Sequence, residues 1–169
     1  MSAANALSRN TAPVPLVKAG QRYAFAGLHA SSDALLIARY FNDNRERLPL
    51  LAVVCAQATD ALRLQQELTW YAPDARVRLL PDWETLPYDT FSPHQDLVSE
   101  RLATLHDLGE KRCDIVLVPA TTALYRMAPA SFMAAYTFFF TQGERLDEAR
   151  LKSQLTLAGY EHVSQVMRP

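Results

Sequence analysis

Two hydrophobic textures alternate along this chain. Leu50 to Cys55 (LLAVVC) and Asp114 to Pro119 (DIVLVP) are apolar almost without interruption, the pattern of strands covered on both faces in a parallel sheet. Around them apolar residues recur at helical spacing: Ala34, Ile37, Ala38 and Phe41; then Ala61, Leu64, Leu68 and Tyr71; then Val98, Leu102 and Leu105. Shorter stretches at Arg22 to Gly27 (RYAFAG) and Arg76 to Leu80 supply two further strands. Ser31 or Ser32 caps the first helix and Thr59 the second. Ser92, Pro93 and Gln95 read as N-cap, first helical residue and third position of a capping box, so the third helix is expected from Pro93. Strands and helices in this alternation predict an α/β fold with a doubly wound, mostly parallel sheet.

The texture changes after Thr121. A short helix near Tyr125 is broken by Pro129, and Ala135 to Thr141 (AYTFFFT) is strongly β-prone. Asp147 caps a helix with Leu151, Leu155 and Ala158 inward, Gly159 suits its C-terminus, and Tyr160 to Met167 begins another strand. The pattern divides the chain into a disordered start (1–12), an α/β domain (13–134) and the truncated beginning of an α+β domain (135–169). An uncovered edge at Phe138 to Phe140 invites a homodimer, by edge pairing or swapping.

Composition removes several classes of function. Seventeen basic and 18 acidic residues give a formal charge of −1, so the field of a stand-alone nucleic-acid binder is missing. No apolar run approaches a membrane span and no secretory leader opens the chain, which predicts a cytoplasmic location. Cys55 and Cys113, each at the end of an expected strand, read as buried thiols.

Two stretches invite chemical interpretation. The turn from Gly27 to Ala34 follows the expected first strand, where a nucleotide-binding sheet holds phosphates. A Walker A loop needs a second glycine, a lysine and a hydroxyl, and here those positions are Ser32, Asp33 and Ala34. Asp33 would repel a triphosphate, so the expectation is either a degenerate phosphate loop or a turn that never served one. No nucleotide cofactor is expected. The second stretch, Leu80 to Leu108, joins a loop rich in Trp83, Leu86, Pro87, Tyr88 and Phe91 to the third helix. So much apolar surface predicts a loop packed across the domain. Asp82, Glu84, Asp89, His94 and Asp96 crowd it without any metal-ligand spacing; Asp82 and Asp89 are expected in local turn bonds, Glu84 and His94 in solvent. Stacking of Trp83, Tyr88 and Phe91 on bases is disfavoured by the acidic charges between them. His29, His106 and His162 are scattered, Ser99 has no nucleophile elbow, and no catalytic or metal constellation emerges.

Three segments carry a resemblance: DWETLPYDTFSPHQD (Asp82 to Asp96), RLATL (Arg101 to Leu105) and GERLDEARLKSQLTLAGYEHVSQVM (Gly143 to Met167). Together they closely resemble the N-terminal region of the bacterial transcription-repair coupling factor family (Mfd), a module related to the excision-repair protein UvrB. The likeness extends more weakly from about Val17 to Met167. It implies a degenerate P-loop NTPase-like fold for residues 13–134 (UvrB-like domain 1a) and the start of UvrB-like domain 2 for 135–169. The signature loop is then Asp82, Trp83, Glu84, Tyr88, Asp89, Phe91 and Pro93. It further implies a non-catalytic module of a DNA-dependent ATPase that displaces stalled RNA polymerase and recruits UvrA, with the motor elsewhere in the parent. UvrA contacts would lie mainly beyond Met167, and the spent nucleotide fold would dock on the motor. In UvrB the comparable loop leads into a β-hairpin that helps clamp damaged DNA, whereas here Tyr88 to Pro93 runs directly into a helix. Two readings stand beside this one: a small nucleotide-binding enzyme with an atypical phosphate loop, and a plain DNA-binding module.

Overall fold

The computed structural model describes residues 14, 16–85, 88, 90–127, 129, 140, 142–143, 145–157 and 159–163. The described elements run α1 (Ser32–Asn44), β1 (Leu51–Cys55), α2 (Ala58–Tyr71), β2 (Val77–Leu79), α3 (Gln95–Gly109), β3 (Ile115–Pro119), α4 (Ala120–Leu124) and α5 (Glu148–Leu157). The chain divides into two compact units between Met127 and Ala128.

In the first unit β1 and β2 both pair parallel with β3, giving the order β1-β3-β2. The central strand is chosen by its sequence: Ile115, Val116, Leu117 and Pro119 are all buried, as a strand covered on both faces requires. Its side chains alternate between two cores. Ile115 and Leu117 join Ala34, Ala38 and Phe41 of α1 and Ala61, Leu64 and Leu68 of α2, whereas Val116 and Val118 meet Leu105 and Leu108 of α3. Helices therefore cover both faces of a small three-stranded parallel sheet. Leu68, Ile115 and Leu117 lose essentially all contact with water, a gain of roughly 2–3 kcal/mol for each side chain.

The start of the unit is strapped along α1. Val14 donates its N–H to Asp43 (2.8 Å), buried Asn44 donates to the Val14 carbonyl (3.0 Å), and Val17 donates to the Tyr40 hydroxyl (3.3 Å). Gly20, at φ +77°, closes the turn from Lys18 to Gln21 in a backbone conformation other residues resist.

Several expectations change. Arg22 to Gly27 is no strand: the segment is exposed throughout and pairs with none of the described strands. A short apolar run does not make a strand when neither a ladder partner nor a covering layer is present. Ser31 stands at the N-cap of α1 without capping it, its hydroxyl donating instead to Glu67 (3.0 Å), while Ser32 Oγ bonds the N–H and carbonyl of His29 (both 2.7 Å). Thr59 lies within the first turn of α2, which opens at Ala58. Helix α3 begins at Gln95, not Pro93, because His94 is extended (ψ 137°) and its ring Nδ1, not the Ser92 hydroxyl, accepts an N–H from the first turn (Asp96, 3.3 Å). The buried positions of α3 are Arg101 and Thr104, with Val98, Leu102 and Leu105 only half-buried.

In the second unit Asp147 accepts the Arg150 N–H (3.1 Å) and caps α5 as expected. Gly159 (φ +89°) ends it, with Gly159 N–H donating to Thr156 (3.1 Å) and Tyr160 N–H to Leu155 (3.0 Å), the paired bonds of a Schellman motif. Leu151 and Leu155 are half-buried, Ala158 is not among the described residues, and residues 160–163 form no strand. Of the β-prone run Ala135 to Thr141, only Phe140 is described, and it is exposed.

Candidate functional site

The turn expected to hold phosphates is built as a helix–helix junction. Gly27 lies at φ +73°, and Ala34 is wholly buried in the main core. Asp33 is held by Arg63 of α2 through two bonds, 2.6 and 3.1 Å, and Arg63 also reaches Glu67, four residues along its own helix, at 2.7 Å. The Arg63 guanidinium keeps the Asp33 carboxyl below its ordinary range. Glu67 is pinned in turn by the Ser31 hydroxyl. Of the four positions, Ser32 bonds the turn at His29, Asp33 bonds α2 and Ala34 is buried in the core, while Gly27 is an exposed residue of the preceding segment. Neither Arg63 nor Glu67 was picked out from the sequence; their i,i+4 spacing on α2 was the available signal.

The signature loop leaves the carboxyl end of β2, the end of a parallel sheet where ligands gather in folds of this class. Its backbone is anchored by α3. Thr104 Oγ1 donates to the Leu79 carbonyl (2.8 Å), and the Arg101 guanidinium donates to the Pro81 carbonyl, satisfying acceptors that the end of the strand leaves without a ladder partner. Arg101 is only 3% exposed and lies over the Trp83 ring, 4.2 Å from its centroid. Burial draws its pKa down, while Asp82 and Tyr125 act in the opposite sense. Asp82 bonds the Trp83 N–H (2.8 Å) as expected, and its second oxygen accepts the Thr121 hydroxyl of α4 (2.5 Å). One carboxylate therefore joins the loop after β2 to the helix after β3.

Beyond Trp83 the loop departs from the packed segment expected. Glu84 and Tyr88 have positive φ (57° and 82°), Tyr88 is fully exposed and Phe91 is 80% exposed. Only Trp83 among the three aromatics is held against the body, because only Trp83 meets a buried partner. Glu84 and His94 are exposed, Pro93 is half-buried, and Leu86, Pro87 and Asp89 lie outside the described residues. The sequence did offer one clue to Arg101: it stands at i+3 from Val98 and i−4 from Leu105, on the stripe read as apolar.

Cys55 and Cys113 are free and buried, in separate clusters on opposite faces of the sheet, and burial raises both thiols. Among the described residues no group of three or more His, Cys, Asp and Glu could hold a metal ion, and no helix is long and apolar enough to cross a membrane.

No protein-family model matches the chain. It is similar to curated proteins of one kind. The transcription-repair-coupling factor of Escherichia coli (strain K12) is 39% identical over 151 residues, which is 89% of this chain and 13% of that protein. That of Haemophilus influenzae (strain ATCC 51907 / DSM 11121 / KW20 / Rd) is 38% identical over 136 residues, covering 80% and 12%. That of Myxococcus xanthus is 33% identical over 153 residues, covering 86% and 12%. The chain thus spans about an eighth of the length of the relatives it matches.

Proposed function

Because the chain belongs to the transcription-repair-coupling factor family, we propose that it is a non-catalytic, UvrB-like module of such a factor, built on a P-loop NTPase-like sheet that no longer serves a nucleotide. On this reading residues 13–134 are the UvrB-like domain 1a and residues 135–169 open domain 2. The parent is an ATP-dependent DNA translocase of the cytoplasm that meets RNA polymerase and DNA through its other parts and recruits UvrA. The module itself works by docking, on the parent's motor and on partner proteins.

One observation carries the reading. At the positions where a phosphate loop requires a lysine and a hydroxyl, Asp33 is paired with Arg63 and Ala34 is buried in the core. A triphosphate would meet a carboxylate already committed to a guanidinium and a methyl group that never reaches the surface. Binding would require breaking the α1–α2 junction, so the chemistry of this turn favours structure over nucleotide. The exposed Tyr88 and Phe91 support docking, since aromatics displayed at a surface are the usual anchors of protein interfaces.

The test is titration of the purified chain with a fluorescent ATP analogue and magnesium. No saturable signal is expected into the millimolar range. Saturable micromolar binding, competed by unlabelled ATP and lost in Ser32→Glu, would overturn the reading and restore a small nucleotide-binding enzyme.

A further inference from the structure

The free edge of β2 faces a groove that neither the turn at Gly27 nor the signature loop uses. Ladder bonds fix which way its peptide groups point. Asp114 N–H donates to the Arg76 carbonyl and Leu80 N–H to the Leu117 carbonyl (both 2.9 Å), so Arg76, Arg78 and Leu80 turn their backbone toward β3. Val77, between them, turns its N–H and C=O outward, away from the sheet. Beside this edge lies an open groove of about 660 Å³, lined by Gln66, Thr69 and Trp70 of α2, Pro73 of the following turn, and Arg76 and Arg78.

Two features of the groove point to its occupant. Trp70 is 78% exposed at the end of a helix whose opposite side supplies the core. An indole left in water beside unpaired strand amides is the arrangement a docked peptide strand uses, taking backbone bonds from the edge and packing a side chain on the ring. Charge narrows the choice. Asp114 is consumed by Arg76 through Nε and Nη2 (2.9 and 2.7 Å), whereas Asp107 is shared by Arg78 (2.7 Å) and Arg112 (3.3 Å). Of the two arginines that line the groove, Arg78 is thus the one whose carboxylate is shared with another guanidinium. Asp107 and Asp114 standing among the arginines disfavour a phosphate backbone, which needs an uninterrupted cationic track.

We propose that this groove is a docking site for an extended segment of a protein partner, which adds as a strand to β2, lays an apolar side chain on Trp70 and sets a carboxylate against Arg78. Because β2 has three residues and the outward Leu79 carbonyl is already taken by Thr104, the added ladder centres on Val77 and Trp70 carries much of the affinity.

The experiment pans a phage-displayed library of random short peptides against the full chain, then measures the enriched peptides by fluorescence polarisation. Enrichment of β-prone, acid-containing peptides is expected, with affinity falling at least about tenfold in Trp70→Ala and in Val77→Pro. The proline removes an N–H that faces away from β3 and so spares the sheet's own ladder; circular dichroism identifies any variant that has lost its fold, and Arg78→Gln, on a side chain half in water, keeps the charge arm readable. Leu157→Ala, an exposed position of α5 outside every site described, should leave the affinity unchanged. No enrichment, peptides indifferent to Trp70→Ala and Arg78→Gln, preferential binding of oligo-dT, or self-association abolished by Trp70→Ala would each overturn the proposal, the last by giving the groove to a second copy of the chain.

Discussion

Replacing Arg101 tests whether the signature loop is held by the contacts assigned to it. Arg101→Ala removes a charged donor from the buried Pro81 carbonyl and uncovers one face of Trp83. The hydrogen bond accounts for about 1.5–3 kcal/mol, and a desolvated guanidinium on an indole adds about 1–2 kcal/mol. Against these stands the cost of burying the guanidinium, visible in its lowered pKa, which the variant no longer bears. The balance is a loss of roughly 3 kcal/mol, since the carbonyl left behind is buried without a donor. Arg101→Met keeps most of the apolar stem and should lose roughly 2 kcal/mol. The chain has two tryptophans, so in a Trp70→Phe background the fluorescence of Trp83 alone follows urea unfolding of this unit. A double-mutant cycle with Trp83→Ala, followed by circular dichroism because no tryptophan then remains to report, should give a coupling of about 1 kcal/mol. A loss below about 1 kcal/mol for Arg101→Ala, or a coupling of zero, would refute the account of how the loop is anchored.

Other contacts lead to further measurable outcomes. Thr104→Val leaves the Leu79 carbonyl without its donor and should cost about 1–2 kcal/mol in the same unfolding assay, with Thr104→Ser recovering most of it. The two helix ends respond in opposite directions to glycine. Lys111 occupies the left-handed position after α3 (φ 56°), so Lys111→Gly should stabilise by up to about 1 kcal/mol, and Gly159→Ala should destabilise the end of α5 by about 1 kcal/mol, seen as faster amide exchange there. Acid should act through Asp33 and Asp107, whose pKa values lie below the ordinary 3.8 because Arg63 and Arg78 hold them. A depressed folded pKa means their stabilisation is complete above the unfolded value and disappears as pH falls through the folded one. The loss below about pH 4 should be on the order of 1 kcal/mol in total after solvent screening, and it should flatten in Asp33→Asn/Asp107→Asn; an unchanged acid limb would count against these pairs.

The elements that were legible in the sequence are those whose signal is self-contained. Ala34, Ala38 and Phe41, or Ala61, Leu64 and Leu68, declare a buried helix face by spacing alone, and the apolar texture of LLAVVC and DIVLVP declares covered strands. What spacing omits is the partner. Arg22 to Gly27 has the short apolar run of a strand, yet strand formation depends on a neighbour that local sequence does not encode. The order β1-β3-β2 was equally invisible, since it is set by which strand is apolar on both faces and by how the crossovers pack. At the signature loop, the density of aromatics was read as burial, but only Trp83 has a buried partner, and Tyr88 and Phe91 remain in water. Arg101 is the reverse error: a charge on an apolar stripe is easily discounted, although a guanidinium can be buried where a carbonyl and an aromatic ring receive it.

The same logic explains why the turn at Gly27 reads as a spent phosphate site. A ligand site must keep its polar groups free until the ligand arrives, and folding opposes that whenever a neighbouring side chain can satisfy them first. Here α2 supplies such a neighbour. Arg63 takes both carboxylate oxygens of Asp33, and Glu67 takes the Ser31 hydroxyl, so the groups at the start of α1 are spent on joining two helices. Restoring a lysine at position 33 would therefore fail to restore binding, because it would set a second cation beside Arg63, while Glu67, still held by Arg63 and the Ser31 hydroxyl, would remain a nearby anion. A return to phosphate binding would require changes at Asp33, Ala34, Arg63 and Glu67 together, and it would have to replace the α1–α2 contact that those residues now provide. The turn is thus committed to stability by its neighbours on α2 as much as by its own sequence.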